Sequence, residues 1–235
     1  MEFMGRNVRR AALTLAVWTG LAGSAQATGA SASRGVYGVA AVCRRLDEAW
    51  AGVQTYQANL KWPNPESPRL EDQGCGLFLF ERPGRWLMEF HTPRFEKYVI
   101  KGDDGWIYIG KLKQAVHRRL GPEDRAQLGV LVLGQSTAEL AKHYKLSTQL
   151  LPEDRAALKA GPPALVLVPK DPGSVAIRRA VLFLDSATGL PKKLRLQLES
   201  GEDLRMTLET PQKNRRLDPS VWNVRFPDST AMIEQ

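Results

Sequence analysis

Residues 74–90 read Gly-Cys-Gly-Leu-Phe-Leu-Phe-Glu-Arg-Pro-Gly-Arg-Trp-Leu-Met-Glu-Phe, and this stretch decides the fold. An apolar run, a tight Arg-Pro-Gly turn and a second apolar run predict a β-hairpin. Because side chains alternate between the two faces of a strand, Phe78, Phe80 and Arg82 share one face. Two interpretations are open. In the first, the face belongs to an ordinary hydrophobic core and Arg82 lies at its solvent-exposed edge. In the second, the face lines a cavity and the Arg82 guanidinium has a function at the cavity entrance.

The first 27 residues have the pattern of a secretory signal peptide. Three arginines precede an apolar run at 11–23, and Ala25-Gln26-Ala27 supplies the small-x-small pattern for cleavage after Ala27. That run is shorter than the ~20 residues that cross a bilayer, which makes an N-terminal membrane anchor the weaker alternative. We therefore predict that residues 1–27 are removed and that residues 28–235 are exported as one soluble domain. No cysteine follows the signal in a lipoprotein-type position, so we expect no lipid anchor.

The composition is that of an ordinary globular protein, since 235 residues with 43% hydrophobic and 25% charged side chains are enough for one core. Removal of the signal peptide leaves 30 basic and 24 acidic residues, a net charge of +6. A positive surface favours anionic lipids or acidic proteins as partners, and export makes nucleic acid the poorest candidate. We expect no nucleic-acid partner, and an ordinary solvated position is the simpler interpretation of any single lysine or arginine.

Two cysteines, Cys43 and Cys75, remain after processing, in a compartment where disulfides persist. Their spacing matches no metal-binding or redox motif. Two alternatives are open: a Cys43–Cys75 disulfide that ties the first helix to the hairpin, or two buried free thiols.

Hydrophobic periodicity predicts one amphipathic helix followed by a series of strands. Residues 39–53 repeat apolar side chains at helical spacing, with Asp47 and Glu48 mostly on the opposite, polar side. Short alternating segments joined by turn residues then indicate an antiparallel meander. The strand candidates are residues 56–61, 74–81, 86–91, 95–101, 106–109, 115–120, 144–150, 164–169, 175–184, 191–199 and 203–210.

Two short helices are predicted between the sixth and seventh strand candidates. Pro122 and the two carboxylates that follow it form a favourable helix opening, near the positive end of the helix dipole. Ser136 has the position of an N-cap, and Glu139 three residues later completes a capping box.

The last two strand candidates are apolar on one face only. In residues 193–199 and 203–209, leucine or methionine alternates with charged or polar side chains. One face of the sheet is therefore apolar, and the other is polar and exposed to solvent. A single sheet of about ten or eleven strands curls, and its apolar concave face needs a cover. We expect the three helices to form that cover, and the pattern alone favours a filled core over a cavity.

The sequence contains no catalytic or metal-binding constellation that we recognise. His91, His117 and His143 are far apart, with no cysteine or carboxylate at ligand spacing. The Gly-Gln-Ser-Thr-Ala run at 134–138 lacks the final glycine of a nucleophile elbow, and no glycine-rich phosphate loop is present. We therefore expect a binding or carrier protein and not an enzyme, without a metal or other cofactor.

Short motifs occur in a defined order along the mature chain. They are Val-Gln-Thr-Tyr-Gln-Ala at 53–58, Arg-Pro-Gly-Arg-Trp at 82–86, Glu89-Phe90, Pro93, Asp-Gly-Trp-Ile-Tyr at 104–108, Asn-Arg-Arg-Leu at 214–217 and Phe226-Pro227. Their order and spacing resemble the LolA family, the periplasmic carriers of outer-membrane lipoproteins. The resemblance covers nearly the whole mature chain.

The resemblance implies a mainly β, α+β fold: an incomplete, strongly curved antiparallel β-barrel with a helical lid over an apolar cavity for acyl chains. Arg82 stands where the family's arginine hydrogen-bonds to lid carbonyls and latches the empty carrier, and a solvent-facing turn residue is the alternative. A family member is expected to be a monomer that receives acylated lipoproteins or lipids from an inner-membrane lipoprotein-releasing transporter and delivers them to an outer-membrane acceptor. The candidate cavity residues are Trp50, Phe78, Phe80, Trp86, Met88, Phe90, Leu194, Leu196, Leu198, Leu204, Met206 and Leu208.

Three features depart from the family pattern: the proline-rich connection at 61–70, the two cysteines and the insertion at 152–163. Proteins on the same fold also serve as outer-membrane acceptors, as lipid carriers beside export pumps or as sensors of mislocalised lipoproteins. The missing lipidation cysteine counts against an acceptor. An exported lipid hydrolase is an alternative of another class, and it requires an activated nucleophile.

Overall fold

The structure is a computed structural model, and it describes residues 37–63, 73–92, 95–121, 133–155, 162–172 and 177–234. The predicted signal peptide at 1–27 and the helix predicted to open at Pro122 lie outside these residues. Of the predicted proline-rich connection, only residues 61–63 are described.

Twelve strands form one sheet within the described ranges. They are β1 (Thr55–Trp62), β2 (Gly74–Glu81), β3 (Arg85–Phe90), β4 (Glu96–Lys101), β5 (Asp104–Ile109), β6 (Gln114–Arg119), β7 (Tyr144–Ser147), β8 (Ala164–Pro169), β9 (Ile177–Leu184), β10 (Pro191–Leu198), β11 (Asp203–Lys213) and β12 (Ala231–Glu234). Their order across the sheet is β12-β6-β5-β4-β3-β2-β1-β11-β10-β9-β8-β7. The predicted antiparallel meander is confirmed, and its ends remain apart as an open, curved sheet with edges β12 and β7.

The predicted number of ten or eleven strands omits β12. All four residues of β12 are exposed, so it lacks the alternation of buried and exposed positions that indicates a strand. It pairs with β6 in parallel, with Ile233 opposite Val116. The other strand pairs of the sheet are antiparallel.

The hairpin predicted from residues 74–90 is formed by β2 and β3. Phe78 pairs with Met88 across it, and Phe80 pairs with Trp86. Gly84 in the turn has a φ of 72°, a conformation that glycine adopts without steric cost. The two strands can therefore reverse direction within three residues.

Three helices are described: α1 (Val39–Trp50), α2 (Thr137–His143) and the short α3 (Pro152–Arg155). The prediction extends α1 to residue 53, but the helix ends at Trp50 because Ala51 is extended and Gly52 has a φ of 68°. Ser136 is the N-cap of α2, as predicted, and its Oγ accepts a hydrogen bond of 3.2 Å from the Glu139 N–H. Within the described segments, no helix combines the length and apolar character that crossing a bilayer requires.

One face of the sheet, the concave face, carries the main hydrophobic core. Side chains from β1 to β4 and from β7 to β11 meet there in one continuous cluster. The α1 helix packs into this cluster through Val42, Leu46, Ala49 and Trp50, and α2 packs into it through Leu140. Burial of each such leucine or valine stabilises the fold by about 1.5–3 kcal/mol. The apolar face is therefore as predicted, and the two predicted covering helices that the structure describes pack on it.

The opposite, convex face is not uniformly polar, contrary to the prediction of a wet outer face. Leu79, Leu87 and Val99 are buried there against Trp222. Trp222 ends a 3₁₀ turn, Pro219–Trp222, in the segment that follows β11. This segment covers an apolar patch that would otherwise be exposed to water.

The α3 helix is attached to the convex face by ion pairs. Asp154, which is 1% exposed, accepts hydrogen bonds from Arg179 and from Arg195. Arg195 also makes two bonds of 2.8 Å to the carboxylate of Asp203. The insertion at 152–163 therefore begins with a turn that is fixed to β9 and β10 by buried charged groups.

Candidate functional site

The β2–β3 turn meets the ends of α1 and α2 at one end of the concave face. We name α1, residues 133–136 and α2 the cover, and the group Asp47, Val53, Arg82, Gly134 and Thr137 the closure site. The Nε of Arg82 donates a hydrogen bond of 2.9 Å to the Val53 carbonyl, and its Nη2 donates a longer bond of 3.4 Å to the Gly134 carbonyl. One guanidinium therefore joins the hairpin both to the segment between α1 and β1 and to the cover at Gly134, because its planar fork carries several fixed donors.

Phe80 and Gly134 bring the cover close to the sheet. The guanidinium carbon of Arg82 lies 5.6 Å from the centroid of the Phe80 ring, a cation–π distance. Gly134 has a φ of 88°, and a Cβ at this position would lie 2.9 Å from Cε2 of the same ring. Both the backbone conformation and the close approach therefore require glycine at 134.

A second contact joins α1 directly to α2. The carboxylate of Asp47 accepts a hydrogen bond of 2.8 Å from the Thr137 backbone N–H and one of 2.5 Å from the Thr137 hydroxyl. Thr137 is the first residue of α2, where N–H groups lack helical partners and the helix dipole favours a carboxylate. Cys43 lies beside this contact on α1, and burial raises the pKa of its thiol.

A cavity of about 370 Å³ lies within the closure site. It is lined by Asp47, Trp50, Ala51, Gly52, Val53, Gln54, Arg82 and Ser136. Its lining combines a carboxylate, a guanidinium and a hydroxyl with the Trp50 ring, which belongs to the main core. The Trp50 and Tyr56 ring centroids are 4.9 Å apart, so the cavity borders the apolar interior.

Eleven of the twelve predicted cavity residues lie in or against the main core. Three are partly buried against it, Phe80, Phe90 and Leu198, and eight are buried within it: Trp50, Phe78, Trp86, Met88, Leu194, Leu196, Met206 and Leu208. In this closed arrangement they pack on one another and on α1, so the face is filled. Leu204 is the exception. It is 42% exposed because it lies at the start of β11, beside the exposed turn at 199–202, and the structure does not place it in the core.

Both cysteines are free thiols, so the disulfide that the sequence leaves open is not formed. Cys43 lies beside Thr137 on the cover. Cys75 is at the start of the hairpin, where its Sγ lies 3.4 Å from Oγ1 of Thr92.

Asp47, Gly134 and Thr137 are site residues that the sequence pattern does not indicate. Helical periodicity places Asp47 on the polar side of α1 and contains no sign that α2 docks there. The N-cap at Ser136 is the one usable signal, because a helix that begins at 137 has free N–H groups that attract a carboxylate.

Residues 52–225 match the family model described as outer membrane lipoprotein carrier protein LolA. An outer-membrane lipoprotein carrier protein of Alkalilimnicola ehrlichii is 25% identical over 169 residues, which is 72% of each chain. Two solved structures are also similar. An uncharacterized conserved protein from Thermus thermophilus has a TM-score of 0.48 and 15% identity, over 83% of this chain and 98% of its own. A LolA superfamily protein from Nitrosomonas europaea has a TM-score of 0.41 and 14% identity, over 80% and 99%. Because the family model covers most of its length, the chain belongs to the LolA family of outer-membrane lipoprotein carrier proteins.

Proposed function

We propose that the mature protein is a soluble, non-enzymatic carrier that takes the acyl chains of lipoproteins, or of related lipids, from the inner to the outer membrane. Membership of the LolA family supports this proposal, as does the 25% identical relative that is named as a carrier. The observation that carries it is the closure site, where Arg82 bonds the carbonyls of Val53 and Gly134 beside an apolar concave face.

In this proposal the carrier works in the periplasm. Residues 1–27 direct export and are removed, and residues 28–235 form the single carrier domain. An inner-membrane lipoprotein-releasing transporter loads the monomeric carrier, and an outer-membrane acceptor unloads it. The carrier itself requires no nucleotide or metal, because binding depends on apolar burial.

Cargo and cover compete for the same apolar surface. In the closed state, α1 buries Val42, Leu46 and Trp50 against the concave face. An acyl chain that takes their place contributes about 0.8 kcal/mol for each buried methylene. The two Arg82 hydrogen bonds contribute only about 1 kcal/mol each. The acyl chain must therefore bury enough methylenes to outweigh both the α1 side chains that it displaces and the latch, and these same contacts favour closure again once the cargo has left.

Extraction and transfer test the proposal. The purified mature protein is incubated with spheroplasts that hold a triacylated lipoprotein in the inner membrane, and the soluble fraction is then mixed with outer membranes. We expect a soluble one-to-one complex and transfer of chemically unchanged lipoprotein. A protein that extracts nothing is not a carrier, and one that alters the lipid is instead a hydrolase.

The variant Arg82→Leu tests the latch. Without the guanidinium, the closed empty state loses two hydrogen bonds, and release becomes less favourable because it returns the protein to that state. We expect uptake to persist and transfer to outer membranes to fall by about tenfold. Arg85→Leu is the matched control, since Arg85 pairs with Glu81 at 2.9 Å and not with the cover. Transfer by Arg82→Leu at the wild-type rate would remove Arg82 from the mechanism.

A further inference from the structure

Two buried hydrogen-bond donors in the concave core have no partner in the part of the chain that the structure describes. They are the hydroxyl of Tyr56 and the indole N–H of Trp86. Tyr56 is 1% exposed and Trp86 is 3% exposed. A buried donor without an acceptor destabilises a fold, and most such groups in proteins are paired. Two of them in one apolar cluster therefore point to a ligand that supplies acceptors.

The two donors lie in one row across the sheet, directly below the closure site. Tyr56 pairs with Phe80 across β1 and β2, and Phe80 pairs with Trp86 across β2 and β3. Each of the three stands one residue from the end of its strand. Phe80 is also the ring beneath Arg82 and Gly134. The row therefore marks the boundary between the polar mouth and the apolar interior.

An acylated amphiphile has a matching boundary of its own. When its chains lie along the concave face and its polar end lies near Arg82, its ester or amide carbonyls fall at the row of Tyr56 and Trp86. A carbonyl oxygen only accepts hydrogen bonds, and the hydroxyl and the indole N–H can both donate. The Tyr56 hydroxyl is protonated at neutral pH and can donate, and burial raises its pKa further.

We propose that the Tyr56 hydroxyl and the Trp86 indole N–H form a subsite for the carbonyl groups of acyl esters and amides. This inference rests on the proposed carrier function and names the chemical group of the cargo that the protein recognises. A cargo with carbonyls satisfies both donors, whereas a hydrocarbon or ether of equal length leaves them unpaired. The subsite therefore selects acyl esters and amides over equally apolar molecules.

Two lipids of equal chain length test the subsite: dipalmitoylglycerol, which has two ester carbonyls, and its diether analogue dihexadecylglycerol, which has none. Binding of each is measured by displacement of a fluorescent fatty acid from the purified mature protein. We expect the wild type to bind the diester about tenfold more tightly than the diether. Tyr56→Phe and Trp86→Phe should each reduce this ratio by about threefold or more.

Tyr98→Phe is the matched control for Tyr56→Phe. The Tyr98 hydroxyl donates to Glu96 at 2.8 Å, so its loss removes a paired donor further along the same face and should not alter the ester-to-ether ratio. Stability in urea provides a second measurement without any lipid. Tyr56→Phe removes an unpaired buried donor, and its unfolding midpoint should equal or exceed that of the wild type. A lower midpoint would mean that the hydroxyl has a partner within the protein, and the inference would fail.

The outcomes separate the subsite from the carrier function. A wild-type ester-to-ether ratio near one, or a ratio that Tyr56→Phe leaves unchanged, overturns the subsite and leaves the carrier function standing. Absence of binding to either lipid also overturns the subsite, and the extraction assay alone then decides on the carrier function.

Discussion

Asp47 and Arg82 hold the same short segment of the cover from two sides. Arg82 donates to the carbonyl of Gly134, and Asp47 accepts from the N–H and hydroxyl of Thr137, three residues later. The Arg82 guanidinium donates to a backbone carbonyl, whereas the Asp47 carboxylate accepts from a backbone N–H. Neither contact can therefore replace the other. Each contact also orders the segment that the other needs, which makes closure cooperative although each bond is weak.

Asp47→Ala is expected to raise hydrogen–deuterium exchange across residues 133–143 by about tenfold, because Thr137 loses both of its acceptors. Mass spectrometry of the purified protein measures this exchange. Glu48→Gln is the control, since Glu48 is the next residue, its side chain is 71% exposed, and its carboxylate lies 3.9 Å from Nε of Arg44 on the same helix. Thr137→Ser keeps both donors, and its exchange should equal that of the wild type. Thr137→Val lacks the hydroxyl donor, and its exchange should differ from that of the wild type. Unchanged exchange in Asp47→Ala would mean that the carboxylate does not hold the cover.

Asp154 shows what a buried charge requires on the convex face. It lies between Arg179 and Arg195, and all three residues are at least nine-tenths buried. Burial alone would raise the pKa of Asp154, but hydrogen bonds from Arg179, the Leu151 N–H and Arg195 together lower it. The two guanidinium groups therefore keep the buried Asp154 carboxylate charged. The carboxylate in turn stabilises the two guanidinium groups in their buried positions.

Asp154→Ala is expected to lower the free energy of unfolding by about 3 kcal/mol, because it leaves the Arg179 guanidinium buried without its carboxylate. Urea denaturation monitored by tryptophan fluorescence measures the loss. Glu153→Ala, an exposed neighbour in the same turn, should change the free energy by no more than about 0.5 kcal/mol. Similar values for the two variants would contradict a structural role for the network.

At the scale of elements, the β2–β3 hairpin and α1 could be predicted because their side-chain periodicity is local. The Ser136 N-cap and most of the apolar side chains of the concave face could be predicted for the same reason. The contact of Asp47 with Thr137 joins residues 90 positions apart, and no local pattern encodes it. The exposure of Leu204 depends on its position at the start of β11, beside the exposed turn at 199–202. The β12 strand could not be predicted, because its exposed residues have no alternation to detect.

A histidine between two carboxylates attaches β12 to the sheet. His117 on β6 lies 2.6 Å from Glu234 through Nδ1 and 3.0 Å from Asp104 through Nε2. Its ring stacks on Trp106, with 4.9 Å between the ring centroids. The hydrogen bonds with Glu234 and with Asp104 raise the pKa of His117 above its usual value of 6.5.

The attachment of β12 should therefore depend on pH. Because the folded pKa of His117 lies above the unfolded one, its stabilisation is complete below pH 6.5 and is lost as the pH rises through the folded value. We expect the amides of residues 231–234 to lose protection from hydrogen exchange, after correction for intrinsic rates, above pH 6.5. His117→Gln should remove this dependence, and His143→Gln, an exposed histidine on α2, should keep it. Protection that does not change with pH in the wild type would show that the imidazole does not hold β12.

At the scale of the whole molecule, the two faces of the sheet have covers of different kinds. The concave face is covered by helices, which bury apolar side chains in the main core and are also held by hydrogen bonds at the closure site. The convex face is covered by Trp222 and its neighbours, which bury apolar side chains. The curved sheet and its helical cover could be predicted from amphipathic patterns. The convex cover could not, because residues 217–226 have no regular periodicity.

Trp222→Ala is expected to lower the free energy of unfolding by about 3–5 kcal/mol, since a large buried ring is removed from Leu79, Leu87 and Val99. Urea denaturation measures this loss. Arg225→Ala, an exposed residue of the same segment, is the control and should lie within about 0.5 kcal/mol of the wild type. A loss below about 1 kcal/mol for Trp222→Ala would mean that the segment lies on the sheet without supporting it.

The two edges of the sheet, β7 and β12, are not paired with each other within the described structure. In a closed barrel, ladder hydrogen bonds fix the circumference, and a wider interior requires some of them to break. An open sheet behaves like a split ring: its edges can move apart by small changes of twist between neighbouring strands while every ladder stays intact. Widening is then elastic and continuous. A sheet of this kind can change the volume that it encloses without breaking a strand pair.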